Sequence, residues 1–165
     1  MINYKLPKEA EIDGKKYKIR EQGDYRQILD VIEILNDREL TEEDRTFNSL
    51  LYFYEECPPI EKAVEYMQWF IACGKPEETN KPLIMDWEKD FNYIASGINK
   101  QGGEDIRAVQ YMHWWTFISK YMEIGESVFS TIISIRQKLQ KGEKLEKWEQ
   151  KFYIENYNDI VLEDF

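Results

Sequence analysis

Histidine and cysteine are scarce in this 165-residue chain, with one of the first and two of the second. Cys57 and Cys73 are too few for a disulfide framework and lack the spacing of metal ligands. Reduced, partly buried thiols and a cytoplasmic setting are therefore expected. His113 has no spaced Cys, Asp or Glu partner and sits in the most apolar segment, so the expectation is a half-buried imidazole bonded to backbone or carboxylate. Long hydrophobic runs are missing too. The longest uncharged stretch, Ala108 to Ser119, is closed by Arg107 and Lys120, whereas spanning a bilayer takes roughly 20 apolar residues. Residues Met1-Ile2-Asn3-Tyr4-Lys5-Leu6-Pro7 hold no apolar run of signal-peptide length. No membrane association is expected.

Catalytic signatures are equally lacking. Gly102-Gly103 precedes a helical pattern, but the spacing is not that of a phosphate-binding loop. Glu104-Asp105 would set two carboxylates where the phosphate belongs. Adjacent acids such as Glu42-Glu43-Asp44 and Glu55-Glu56 point apart on a helix, and an exposed carboxylate near its ordinary pKa is a poor acid at neutral pH. Neither cysteine lies in a nucleophile signature. The chain is expected to be no enzyme and to need no cofactor or metal.

Positive charge is in deficit, with 22 bases against 32 acids and a net charge of −10. Such a surface repels a phosphate backbone, so no nucleic-acid partner is expected. A decoy that mimics DNA would need carboxylates spaced like phosphates along one face, and lysines interrupt the acidic runs. The imbalance is uneven. Residues 1–20 carry six bases against three acids, and residues 37–61 carry eight acids against two bases. The last stretch, from Glu155, has four acids and no base.

What the chain does have is apolar material: 42% of its residues are hydrophobic and 15% of its residues are aromatic. A single domain of this length buries roughly two thirds of its unfolded surface. Ala10-Glu11-Ile12 and Lys16-Tyr17-Lys18-Ile19 alternate around Asp13-Gly14, which predicts a hairpin. Helical periodicity follows. Asp24 caps a first helix (with Gln27 in capping-box position) whose face is Tyr25, Ile28, Leu29, Ile32 and Leu35. Thr41 and Asp44 open a second with Phe47, Leu50, Leu51 and Tyr54 inward, closed by Pro58. Pro59 starts a third with Ala63, Tyr66, Met67, Phe70 and Cys73, ended by Gly74. Asp86 caps a fourth with Trp87, Phe91, Ile94, Ala95 and Ile98. A fifth, from about Asp105 to Ile124, is apolar all round and is expected at the centre of the bundle. A sixth buries Val128, Ile132, Ile135 and Leu139, and a last, roughly Leu145 to Tyr157, turns Leu145, Trp148, Phe152 and Tyr153 inward. The expected fold is mainly α: one compact bundle of six to seven helices with a short N-terminal β-hairpin. The polar stretch 75–82 is the candidate hinge between an N-terminal hairpin and three-helix part and the rest.

Asp105-Ile106-Arg107-Ala108-Val109-Gln110-Tyr111-Met112-His113-Trp114-Trp115-Thr116-Phe117, followed by Tyr121 to Glu126, Phe129 to Arg136, Lys141 to Leu145 and Phe152-Tyr153, resembles the signature of a small family of tailed-phage proteins. Asp86 to Phe91 fits the same pattern, and the likeness is dense over residues 83–157. Glu143 stands where the family pattern has a lysine. The resemblance implies a protein of phages and prophages of Gram-positive bacteria, encoded between the tail-tube and tape-measure genes. That position is associated with tail-assembly chaperones, which coat the apolar helices of the tape-measure protein and recruit tail-tube subunits. The implied protein acts in the host cytoplasm and is absent from the finished virion. A structural tail or connector protein kept in the particle is the alternative. The candidate partner contacts are Arg136, Lys138, Lys141, Lys144, Lys147, Trp148 and Tyr153, within a segment from Arg136 to Lys151 of six bases and three acids. Self-association is a further expectation.

Overall fold

Asp13 and Gly14 take φ of 52° and 76°, the pair of left-handed residues that a two-residue hairpin turn requires. The computed structural model describes residues 5–75 and 84–162. The strands joined by that turn are β1 (Glu9–Ile12) and β2 (Lys15–Lys18), antiparallel with Ala10 opposite Tyr17. Among the described residues, eight helices follow: α1 (Tyr25–Asn36), α2 (Glu42–Phe53), α3 (Ile60–Ile71), α4 (Trp87–Asn99), α5 (Trp114–Met122), α6 (Val128–Gln140), α7 (Lys147–Glu155) and α8 (Tyr157–Ile160). The protein is mainly α with an N-terminal hairpin, as expected. It divides into two compact units, Met1–Thr79 with Gln110–Ser119, and Asn80–Val109 with Lys120–Phe165. Of the candidate hinge, residues 76–82 lie outside the described residues.

In the first unit the hairpin turns Ala10 and Ile12 inward, as strand alternation demands. The chain then passes through a 3-10 turn, Arg20–Gly23, where Glu21, Gln22 and Gly23 all have positive φ. Gly23 is obligatory there twice over, since a Cβ would also lie 2.7 Å from the Phe70 ring. Asp24 caps α1 by accepting from the Arg26 N–H at 3.0 Å. Gln27 does not complete a capping box; its amide instead donates to the Tyr52 carbonyl. The core gathers Tyr25, Ile28 and Val31 of α1, Leu50 and Phe53 of α2, and Ala63, Met67 and Phe70 of α3. Each large apolar side chain so buried is worth about 1.5–3 kcal/mol.

Two expectations fail in this unit. Phe47 and Leu51 do not face the core: they are 54% and 47% exposed, while Ser49, Leu50 and Phe53 are buried. The packed face of α2 is rotated by roughly a quarter turn, and Ser49 is accommodated on it because its hydroxyl donates to the Thr46 carbonyl at 2.8 Å. α2 also stops at Phe53, short of Pro58, because the Ile19 backbone pairs with Tyr54.

The fifth helix departs furthest. It spans only Trp114–Met122 rather than 105–124, and Tyr111 and Met122 are exposed. Asp105 accepts from the Arg107 N–H at 2.9 Å and Asn99 accepts from the Ile106 N–H at 2.9 Å. Met112 bonds the Asp24 carboxylate through its N–H and the Tyr25 N–H through its carbonyl, each at 2.9 Å. These side-chain and long-range bonds take the groups a helix would have used. Within the first unit, Trp114 and Phe117 are buried, and Phe117 stacks on Tyr25 with ring centroids 4.6 Å apart.

In the second unit Asp86 caps α4 through the Lys89 N–H at 2.8 Å. Ser127 and Ser130 form a reciprocal capping box at the start of α6. Ile132, Ile135, Leu145 and Ile160 make a core flanked by Tyr93, Phe152 and Tyr153. Val128 and Leu139 share the angular position of that stripe but lie at the two ends of α6, where nothing covers them fully, and both are exposed. The last helix, expected over roughly Leu145 to Tyr157, is α7 at Lys147–Glu155, and a further short helix, α8, follows Asn156.

Candidate protein-binding surface

α6 and α7 carry the candidate contacts, and two ion pairs fix what these helices present. Arg136 is 1% exposed and lies against Asp90 of α4, which is fully buried. Nη1 donates to Asp90 Oδ2 at 2.6 Å and to the Ile84 carbonyl at 3.1 Å, and Nη2 to Asp90 Oδ1 at 2.9 Å and to the Asp159 carbonyl at 2.6 Å. Nε donates to the Ile160 carbonyl at 2.7 Å. Every N–H of the guanidinium is used, the condition under which a charge can sit away from water. Arg136 is therefore removed from the contact surface. It holds α4, α6 and the carbonyls of α8 in one arrangement.

Lys138 is the second anchor. Its ammonium donates to both Glu149 oxygens, at 2.7 and 2.9 Å, and Glu149 also accepts from the Glu146 N–H at 2.8 Å, capping α7. The hydrogen bond to Glu149 pushes the Lys138 pKa up, and Lys138 together with the Glu146 N–H pulls the Glu149 pKa down. Lys138 thus ties α6 to α7.

Of the remaining candidates, all but half-buried Tyr153 face outward. Lys141, Lys144 and Lys147 are exposed and make no ion pair among the described residues. Trp148, expected to face inward, is 58% exposed. The buried side of α7 is formed by Glu149 with half-buried Phe152 and Tyr153, and Trp148 falls beside it. Tyr153 meets Tyr157 edge-on with centroids 5.5 Å apart. Two neighbours missed at first belong to the same face. Ile154, 74% exposed, lies seven residues after Lys147 and three after Lys151, so the three share one stripe of α7. Lys151 is only loosely joined to Glu155, at 3.7 Å. The spacing from Lys147 was the available signal for Ile154.

His113 is not part of this surface. Its Nε2–H donates to the Pro7 carbonyl at 2.8 Å and its Nδ1 accepts from the Trp115 N–H at 3.1 Å. Both ring nitrogens are engaged by backbone in the neutral form. Burial, with Lys8 nearby, lowers its pKa against the opposing pull of the Pro7 carbonyl. Cys57 and Cys73 are both free; Cys57 is exposed, and burial pushes the half-buried Cys73 thiol up to about 11, away from nucleophile character. Asp105 starts no helix; the Arg107 guanidinium and N–H hold its carboxyl far below the usual range. Among the described residues, no helix is long and apolar enough to cross a membrane.

A family model described as "Bacteriophage Gp15 protein" matches residues 2–160, so the phage likeness of residues 83–157 extends over nearly the whole chain. No curated protein and no solved structure matches.

Proposed function

The chain belongs to the bacteriophage Gp15 protein family, and from that premise we propose that it is a phage tail-assembly chaperone. In this reading it binds the apolar helices of the tape-measure protein, helps recruit tail-tube subunits, performs no catalysis, and leaves before the virion is finished. The observation that carries the reading is the outer face of α7. Trp148 and Ile154 are offered to solvent among Lys147 and Lys151, with Lys144 and Lys141 just ahead. Exposed aromatic side chains of this kind are typical anchors of protein contacts. Lysines around them keep an apolar contact soluble and select clients that carry acids along their apolar stripe.

Co-expression with a tape-measure protein and a pull-down test it. A variant with Lys141, Lys144 and Lys147 changed to Ser and Trp148 to Ala is expected to fold normally and lose at least tenfold in capture. Lys138 stays intact in that variant, because its removal would leave Glu149 buried and unpaired. Unchanged capture would reject α7 as the contact. Mass spectrometry of purified virions separates the roles: absence of the chain supports a chaperone, and stoichiometric presence assigns it to the tail or its connector.

A further inference from the structure

Two exposed apolar faces on this chain carry opposite charge. On α2, Phe47 and Leu51 lie one turn apart on the solvent side. Glu43 and Asp44 stand one turn ahead of Phe47, in a first turn made wholly of acids. On α7, Trp148 and Ile154 are exposed beside Lys147 and Lys151. Residues 37–61 are the most acidic part of the sequence, with eight acids against two bases. With Arg136 buried against Asp90 and Lys138 spent on Glu149, the segment 136–151 presents Lys141, Lys144, Lys147 and Lys151 against Glu143 and Glu146, and Glu155 stands 3.7 Å from Lys151.

We propose that these faces are the two halves of one contact, in which α7 of one copy of this chain packs on α2 of a second copy. Phe47 and Leu51 meet Trp148 and Ile154, and Lys147 and Lys151 turn toward Glu43 and Asp44. Charge complementarity selects this occupant: the anionic apolar surface that the α7 face calls for is present on the chain itself. The contact is heterologous, since the patch given by one copy differs from the patch given by the other. Each contact leaves one α2 face and one α7 face free, so further copies add until a ring closes or an open array forms. The inference shares its α7 half with the client reading above, and its test reads the mass of this chain with no client present, so each can fail without the other.

Sedimentation of the full-length protein at about 0.15 M salt tests it. There the Debye length of about 8 Å screens the repulsion between two acidic molecules but spares charges in contact. The average mass is expected to rise with concentration beyond that of one chain. The Glu43→Ser, Phe47→Ser double variant and the Lys147→Glu, Lys151→Glu double variant are each expected to be monomeric, with wild-type helical circular dichroism. Mixed in equal amounts, they are expected to form a 1:1 pair and nothing larger, because one intact face of each kind remains. Should a double variant lose helicity, Leu51→Ser and Trp148→Ser replace the two. A wild-type protein monomeric at every concentration, a variant that still self-associates, or a mixture that stays monomeric would each overturn the proposal.

Discussion

Five N–H donors leave the guanidinium of Arg136, and each finds an oxygen on Asp90, Ile84, Asp159 or Ile160. Removing one partner of such a pair strands the other charge, at a cost of about 3–5 kcal/mol. Arg136→Met is therefore expected to lose stability on that scale in urea unfolding, and the Asp90→Leu, Arg136→Met double variant to lose less than Arg136→Met alone. In the sequence Arg136 is one more cation near a helix end; its partner lies 46 residues away, and no local spacing marks it. His113 was more legible, because a lone histidine among apolar residues has few partners but backbone. Its folded-state pKa is lowered, below the ordinary value of about 6.5. The neutral ring then stabilises the fold above that value, and the contribution is lost as pH falls through the folded-state pKa. With one histidine in the chain, the ring signals report it directly between pH 7 and 5, and comparison with a His113 variant separates its share of stability from that of the carboxylates, among which burial raises the pKa of Asp30. An NMR titration midpoint below 6.5 is expected, with a smaller drop in melting temperature over that window in His113→Gln. A midpoint above 6.5 would contradict the sign.

At the scale of elements, local signals located most starts and most faces, those of α1, α3, α4 and α6 among them, and missed those of α2 and α7. Thr41, Asp86 and the Asp13-Gly14 turn act where their chemistry placed them, since caps and turns depend on neighbours within three or four residues. The buried face of α2 and the length of α5 depend on contacts distant in sequence. Apolar spacing alone favoured Phe47 over Ser49, and favoured helix across residues 105–112, where Asp24, Asn99 and Asp105 claim the backbone donors. Gly97 within α4 is a similar case. Alanine is usually better in a helix by about 1 kcal/mol. Here a Cβ would meet Ile124 Cγ2 at 2.8 Å, with Cγ1 and Cδ1 both at 3.2 Å, and overpacking of this kind costs about 1–3 kcal/mol. Gly97→Ala is expected to lower the urea midpoint, and Ile124→Ala in the same chain to recover part of the loss. A midpoint raised by Gly97→Ala alone would show that Ile124 gives way freely.

At the scale of the whole molecule, the two units interleave along the chain. The first needs Gln110–Ser119 in addition to its N-terminal residues. That segment supplies the Met112 bonds to Asp24 and Tyr25, the His113 bond to Pro7, the indole donors of Trp114 and Trp115 to the Ile71 and Phe70 carbonyls, and the Phe117 ring. A fragment of residues 1–79 is expected to lack a cooperative melt and dispersed NMR signals, because Tyr25 and Phe70 lose their cover. A cooperative melt of that fragment would show residues 110–119 to be dispensable. A search for boundaries in composition finds the polar stretch 75–82; it cannot find a return of the chain, because the signal lies in pairings and not in local content.

That return has a consequence for biosynthesis. A ribosome delivers about 5–20 residues per second, so the hairpin and first three helices wait on the order of seconds for Trp114 and Phe117 to be made. Over that interval the nascent N-terminal half carries an incomplete core, and its folding is timed by translation of a segment some thirty residues downstream.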